Sequence, residues 1–109
     1  GPMNKPLKIV DPREDDATTC ASRLKVLADE TRLAVLELLM DGPRHVGELN
    51  ESLDVEQSLL SHHLKVLRDA GLVAAQRDGK QVLYQLADPV KRSRKRRSID
   101  LGCCHISFD

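Results

Sequence analysis

The chain has 109 residues, with 17 Lys and Arg against 17 Asp and Glu, 40% hydrophobic residues, and one Tyr and one Phe as its aromatics. This is one small domain whose core must come from Leu, Val and Ala on helices, and such a core gains from being shared with a second subunit. The balanced charge excludes a uniformly basic nucleic-acid coat, although the charges are sorted: DPREDD at 11–16 is acidic and KRSRKRR at 91–97 almost wholly basic.

No apolar run is long enough to span a membrane, and no secretory leader is visible; Gly1-Pro2 ahead of Met3 reads as a scar of tag removal. The three cysteines, Cys20, Cys103 and Cys104, are too few and odd in number for a disulfide framework. They fit reduced thiols in a cytoplasmic protein, available for metal or redox chemistry.

Residues 1–14 are polar, carry Pro6 and Pro12, and show no period, which predicts a loose arm. From Asp16, with Asp15 or Asp16 as cap, the spacing of Ala17, Cys20, Ala21, Leu24, Leu27 and Ala28 predicts a helix. Asp29 then caps a second helix, TRLAVLELLM, with Leu33, Leu36, Leu39 and Met40 inward; Asp41-Gly42-Pro43 ends it. Val46, Leu49 and Leu53 mark a short helix. Asp54, with Gln57 three residues on, suits a capping box for the next, over roughly 55–70. That helix carries Leu60, Leu64 and Leu67 on one stripe, widened by Leu59 and Ala70.

Two strand-like runs follow, Leu72–Gln76 and Gln81–Leu86, joined by Arg77-Asp78-Gly79-Lys80, in which Asp-Gly is a strong hairpin signal. Asp88-Pro89 restarts a helix as cap and first position. From Ser98 to Phe108 the alternation suits an extended tail. The expected division is an arm at 1–14, a DNA-binding domain at 15–90, and a basic segment with a Cys-Cys tail at 91–109.

Helix, turn, helix and basic-tipped hairpin make a winged helix-turn-helix, mainly α with a small β wing. Gln57, Ser58, Ser61, His62, Lys65 and Arg68 fall off the apolar stripe and offer the donors and acceptors that read base edges in a major groove. Gln57 is the one best shaped for a bidentate adenine contact. Arg77 and Lys80 at the wing tip suit phosphate or minor-groove contact, which positions a protein without specifying sequence. His63, beside Leu64, reads as a satisfied core or backbone-bonded histidine. The 91–97 run reads as an added phosphate-binding arm, as a region whose repulsion holds the last helix open until DNA or an anion neutralises it, or as a solvated stretch.

The stretches LKVLADETRLAVLELL, VGEL, SLLSHHLKVLRDAGLV and RDGKQVLYQL, in that order over residues 20–88, resemble the ArsR/SmtB family of winged-helix repressors. The resemblance implies a homodimer whose first and last helices build the interface. It also implies a repressor that binds an inverted-repeat operator in double-stranded DNA until an effector releases it, and that acts neither as an enzyme nor at a membrane. Three departures stand out. His45-Val46-Gly47 occupies the place of a Cys-Val-Cys thiolate site, the last-helix zinc pattern is missing after Asp88, and the last helix is unusually basic.

The first and last segments approach each other in the family's dimer, which would bring Cys20, Cys103 and Cys104 to one point, within or across subunits. Three thiolates match trivalent arsenic or antimony, which are soft and trigonal, as the effector; no cofactor is otherwise required. A rival reading is thiol redox, with Cys20 linked to Cys103 or Cys104 through a disulfide or polysulfide. The plain alternative is inert thiols, since a free cysteine on an apolar stripe behaves as a small hydrophobe. His105 adds weak support for a zinc-like site. Outside this class, a winged helix binding RNA or a protein partner would keep the fold. A thiol oxidoreductase lacks both a Cys-x-x-Cys and a βαβ context. Ser61, His62 and His63 lack a third orienting group for hydrolysis.

Overall fold

The computed structural model describes residues 12–90 and 97–108. The α-helices among these residues are α1 (Pro12–Leu27), α2 (Glu30–Met40), α3 (Val46–Leu53) and α4 (Gln57–Asp69). A three-stranded antiparallel sheet in the order β1-β3-β2 is formed by β1 (Arg44–His45), β2 (Val73–Asp78) and β3 (Gln81–Leu86). A separate hairpin pairs β4 (Ser98–Asp100) with β5 (His105–Ser107). This is a winged helix-turn-helix, mainly helical, as expected. No helix among the described residues is long and apolar enough to cross a membrane.

α1 begins at Pro12, ahead of the expected start at Asp16. Proline is at home at the first helical position, because the N–H it lacks would have no partner there. Residues 1–11 of the expected arm lie outside the described residues. Of the predicted α1 stripe, Leu27 is buried and Cys20 half-buried, whereas Ala21, Leu24 and Ala28 are exposed. α2 starts as predicted: Asp29 is extended and its carboxylate accepts the Arg32 N–H at 3.0 Å. Val35, Leu36, Leu39 and Met40 form its buried side.

The expected capping box at Asp54 is not formed. Asp54 adopts φ 53, ψ 49 and caps the C-terminus of α3 instead, donating its N–H to Asn50 O at 3.1 Å. Aspartate tolerates this left-handed conformation better than most residues, and using it here leaves the next cap to Glu56. Glu56 makes no side-chain cap bond to α4. Leu60, Leu64 and Leu67 are buried on α4 as predicted, but Leu59 is 45% exposed and does not widen the stripe. The helix ends on Gly71 (φ +78): its N–H reaches Arg68 O at 2.9 Å and that of Leu72 reaches Leu67 O at 3.0 Å, the paired bonds of a Schellman closure.

The wing is tighter than predicted. β2 continues to Asp78, which pairs with Gln81, so Gly79 (φ 66) and Lys80 alone make the turn. β1 was not foreseen; it pairs Arg44 with Tyr84 and His45 with Leu83, tying the start of α3 to the wing. After β3 the described residues form a 3₁₀ turn, Asp88–Val90, at the start of the expected last helix, whose continuation over 91–96 lies outside the described residues. The basic run falls largely in 91–96, outside the described residues. The expected extended tail is a folded hairpin: Ile99 and Leu101 are buried in the same core as Leu36, Leu60 and Leu67. Arg97 at its base bonds Glu37 at 3.1 Å and Asp41 at 3.3 Å, fastening the hairpin to the end of α2.

Candidate nucleic-acid interface and thiol cluster

The outward face of α4 presents Gln57, Ser58, Ser61, His62 and Lys65, all exposed, and the wing presents Arg77 and Lys80, also exposed. A cleft of about 450 Å³ between helix and wing brings Gln57, Ser61 and Lys80 together. Its floor is Val46, Leu64, Val82 and Tyr84, with Gly47 and Gln81 at the edges. Ser58, His62, Lys65 and Arg77 are not among the residues lining this cleft. Nothing in the sequence marks Gln81 as a site residue, and Gly47 stands out there only as part of His45-Val46-Gly47. Gln81 is the first residue of β3, and only the short wing turn places it there.

Lys65 is paired with Asp69 one turn on, at 2.9 Å, and that bond holds the Asp69 carboxyl below its ordinary range. Both groups are exposed, so the pair contributes little and the ammonium is readily redirected to a phosphate. Beneath the polar face, His63 is buried, and its Nδ1 faces Arg32 Nη1 at 3.0 Å. Arg32 Nε donates to Val26 O at 2.6 Å, so one guanidinium joins the end of α1, α2 and α4. His63 is thus a satisfied core histidine, bonded to a side chain rather than to backbone.

His45 stands where the family's thiolate site would be, and its contacts are with carboxylates. Its Nε2 lies 2.8 Å from Asp78 Oδ2 at the wing tip, and its backbone N–H donates to Glu48 Oε1 at 2.7 Å. The hydrogen bond to Asp78, with Glu48 adding attraction, raises the imidazole above its ordinary value against a smaller opposing effect of burial. Glu48 is lowered, chiefly by the His45 N–H.

The three thiols do converge, and within one chain. Cys20, Cys103 and Cys104 place their sulfurs within 4.8 Å of one another. Cys20 and Cys103 are joined by a disulfide with Cα atoms 6.0 Å apart, and Cys104 is free and exposed with its Sγ 3.8 Å from that of Cys103. The loop carrying the vicinal pair is closed by Leu101 N–H to Cys104 O and Gly102 N–H to the Asp100 carboxylate, both at 2.8 Å. Once reduced, the cluster offers three soft donors to one small ion, and in the observed state it is a disulfide with a third thiol alongside. His105 is exposed at the start of β5 and does not belong to the metal-capable group.

A residue missed from the sequence lies beside this cluster. Arg23, one turn beyond Cys20 on α1, donates from Nη1 to Leu101 O at 2.7 Å. Spacing of three on a helix was the available signal, because it places Arg23 on the same face as Cys20.

The model of the family described as "Bacterial regulatory protein, arsR family" matches residues 29–75. The chain is 43% identical over 91 residues to the biofilm growth-associated repressor of Agrobacterium fabrum, covering 80% of this chain and 78% of that protein. It is 44% identical over 72 residues to the HTH-type transcriptional regulator NmtR of Mycobacterium tuberculosis, spanning 66% of this chain and 60% of that protein. Among solved structures it is similar to the homodimeric winged helix-turn-helix DNA-binding domain Mb0332 of Mycobacterium bovis. There the TM-score is 0.67 and the identity 30%, over 74% of this chain and 75% of that one.

Proposed function

The chain belongs to the arsR family of bacterial regulatory proteins, and we propose that it is a cytoplasmic, homodimeric repressor that leaves its operator when trivalent arsenic or antimony is captured by Cys20, Cys103 and Cys104. The convergence of three sulfurs within 4.8 Å carries this reading. A trigonal thiophilic ion needs three soft donors within reach of one point, and a chance scatter of three cysteines does not supply that. Gln57, Ser58, Ser61 and His62 read bases, while Lys65, Arg77 and Lys80 hold phosphates. In a dimer, two such helices enter successive major grooves of an inverted repeat about 34–36 Å apart.

Capture at the thiols favours a dimer in which that spacing is lost. Moving a population from 1:99 to 99:1 requires the effector to prefer the released form by about 5.5 kcal/mol, which three bonds to sulfur supply and one hydrogen bond does not. The disulfide favours a second reading: release by oxidation, with Cys20 and Cys103 as the switching pair and Cys104 as a neighbouring thiol that can exchange into the bond, forming Cys20–Cys104 and releasing Cys103 as the thiol.

A mobility shift on DNA upstream of the protein's own coding sequence tests both readings. The reduced protein is titrated with arsenite, antimonite or oxidised glutathione. Release by arsenite that is lost in Cys20→Ser and in Cys103→Ser/Cys104→Ser supports the first. Release by arsenite that survives the double replacement overturns it, and release by oxidised glutathione alone establishes the second.

A further inference from the structure

Arg23 occupies a place that neither the base-reading face nor the thiols explain. Its Nη1 donates to Leu101 O, two residues before Cys103. A Cβ added at Gly102 would lie 3.7 Å from Nη1, and one added at Gly71 would lie 3.7 Å from Nη2. The guanidinium is therefore bonded to the loop that carries the vicinal cysteines and stands within reach of any side chain placed at the glycine that closes α4. Arg23 Nε is buried and makes no hydrogen bond, so the guanidinium is tied to the protein through its Nη1 bond to the loop.

We infer that Arg23 is the positioning residue that couples the state of the thiol loop to the C-terminal end of α4. This inference rests on the sensor reading above. Each neighbour of the guanidinium is stiff: the loop is pinned by the Leu101–Cys104 and Gly102–Asp100 bonds, and α4 by its Schellman pair. A planar guanidinium between two such bodies passes a displacement on instead of absorbing it. Opening the Cys20–Cys103 bond changes the separation of α1 from the loop. A dithiol takes up the two sulfurs' bond, becoming its own cyclic disulfide and leaving Cys20 and Cys103 as thiols. An ion that then sits between the sulfurs holds them apart. Because Arg23 rides on α1 next to Cys20, that change is delivered to Gly71.

The test is amide hydrogen exchange at Gly71 and Leu72 in the full chain, in the disulfide form, after dithiol reduction, and after reduction with arsenite added. Operator binding is measured on the same samples. In the wild type, exchange at these amides changes by about tenfold between thiol states, and in Arg23→Met the change falls below about twofold while thiol titration shows the same states reached. Arg23→Lys, which keeps the charge but not the fork, also loses the change, and this variant carries the test if Arg23→Met does not fold. Equal changes in wild type and both variants, or none in the wild type, overturn the inference. An exchange change that depends on Arg23 without release from DNA upholds the link and counts against the effector reading alone.

Discussion

His63 Nδ1 accepts a hydrogen bond from Arg32 Nη1 at 3.0 Å, which fixes the recognition helix to α2 through a group that can only donate. The imidazole must present a bare Nδ1 to make this bond. Because His63 is buried and its neighbours Ser61 and His62 are exposed, the bond sets how the reading face is turned outward. Replacing His63 by Leu leaves the Arg32 donor without its acceptor, with an expected loss of about 1–3 kcal/mol in urea unfolding. A loss within error of zero would show that the guanidinium finds another acceptor freely.

At the reading face, two variants separate reading from holding. Gln57→Ala is expected to weaken operator binding by about 1–3 kcal/mol and relax preference at one base position, leaving the salt dependence unchanged. Lys80→Ala is expected to weaken binding to every sequence alike and reduce the log–log salt slope by about one per subunit. A Lys80→Ala protein with altered sequence preference and an unchanged slope would contradict the assignment of the wing to phosphates.

His45 gives the wing a pH dependence whose sign follows from its partners. The imidazole is raised by its bond to Asp78, so the folded state holds the proton more tightly than the unfolded chain does. The associated stabilisation is complete below the ordinary histidine value of about 6.5 and is lost as pH climbs through the raised value. Thermal midpoints are expected to fall across that window, and His45→Gln to flatten the fall. A midpoint that rises with pH in the wild type and not in the variant would reverse the assignment.

The cross-link predicts a dependence on reductant. Cys20 and Cys103 are 83 residues apart in sequence, and closing so long a loop restrains the unfolded chain by an amount of order 4 kcal/mol. The oxidised form is expected to melt well above the form treated with a dithiol, and Cys104→Ser to leave this difference intact. Loss of the difference in Cys104→Ser would place the working disulfide at Cys104 instead.

What could be read from the sequence was whatever depends on near neighbours along the chain. The Asp29 cap, the α4 stripe of Leu60, Leu64 and Leu67 and the presence of a wing turn at Gly79 all rest on spacings of a few residues. β1 could not be read, since two residues become a strand only by pairing with Leu83 and Tyr84. Asp54 is ambiguous in the sequence because an Asp three residues before a Gln serves equally as the end of one helix or the start of another. The choice depends on its φ of 53. The last segment looked like a tail because Ile99 and Leu101 carry no helical period, yet they supply apolar surface to the core. Meeting of the thiols was expected from how such dimers join their ends, and it occurs here between the two ends of a single chain.

Sewing the first helix to the final hairpin makes the polypeptide a covalent circle from residue 20 to residue 103, with the entire reader inside it. A protease that nicks the ring once, at the wing tip for example, produces no separate fragments until a reductant arrives. Cleavage and separation of the pieces thereby become distinct events, divided by the reduction of one bond.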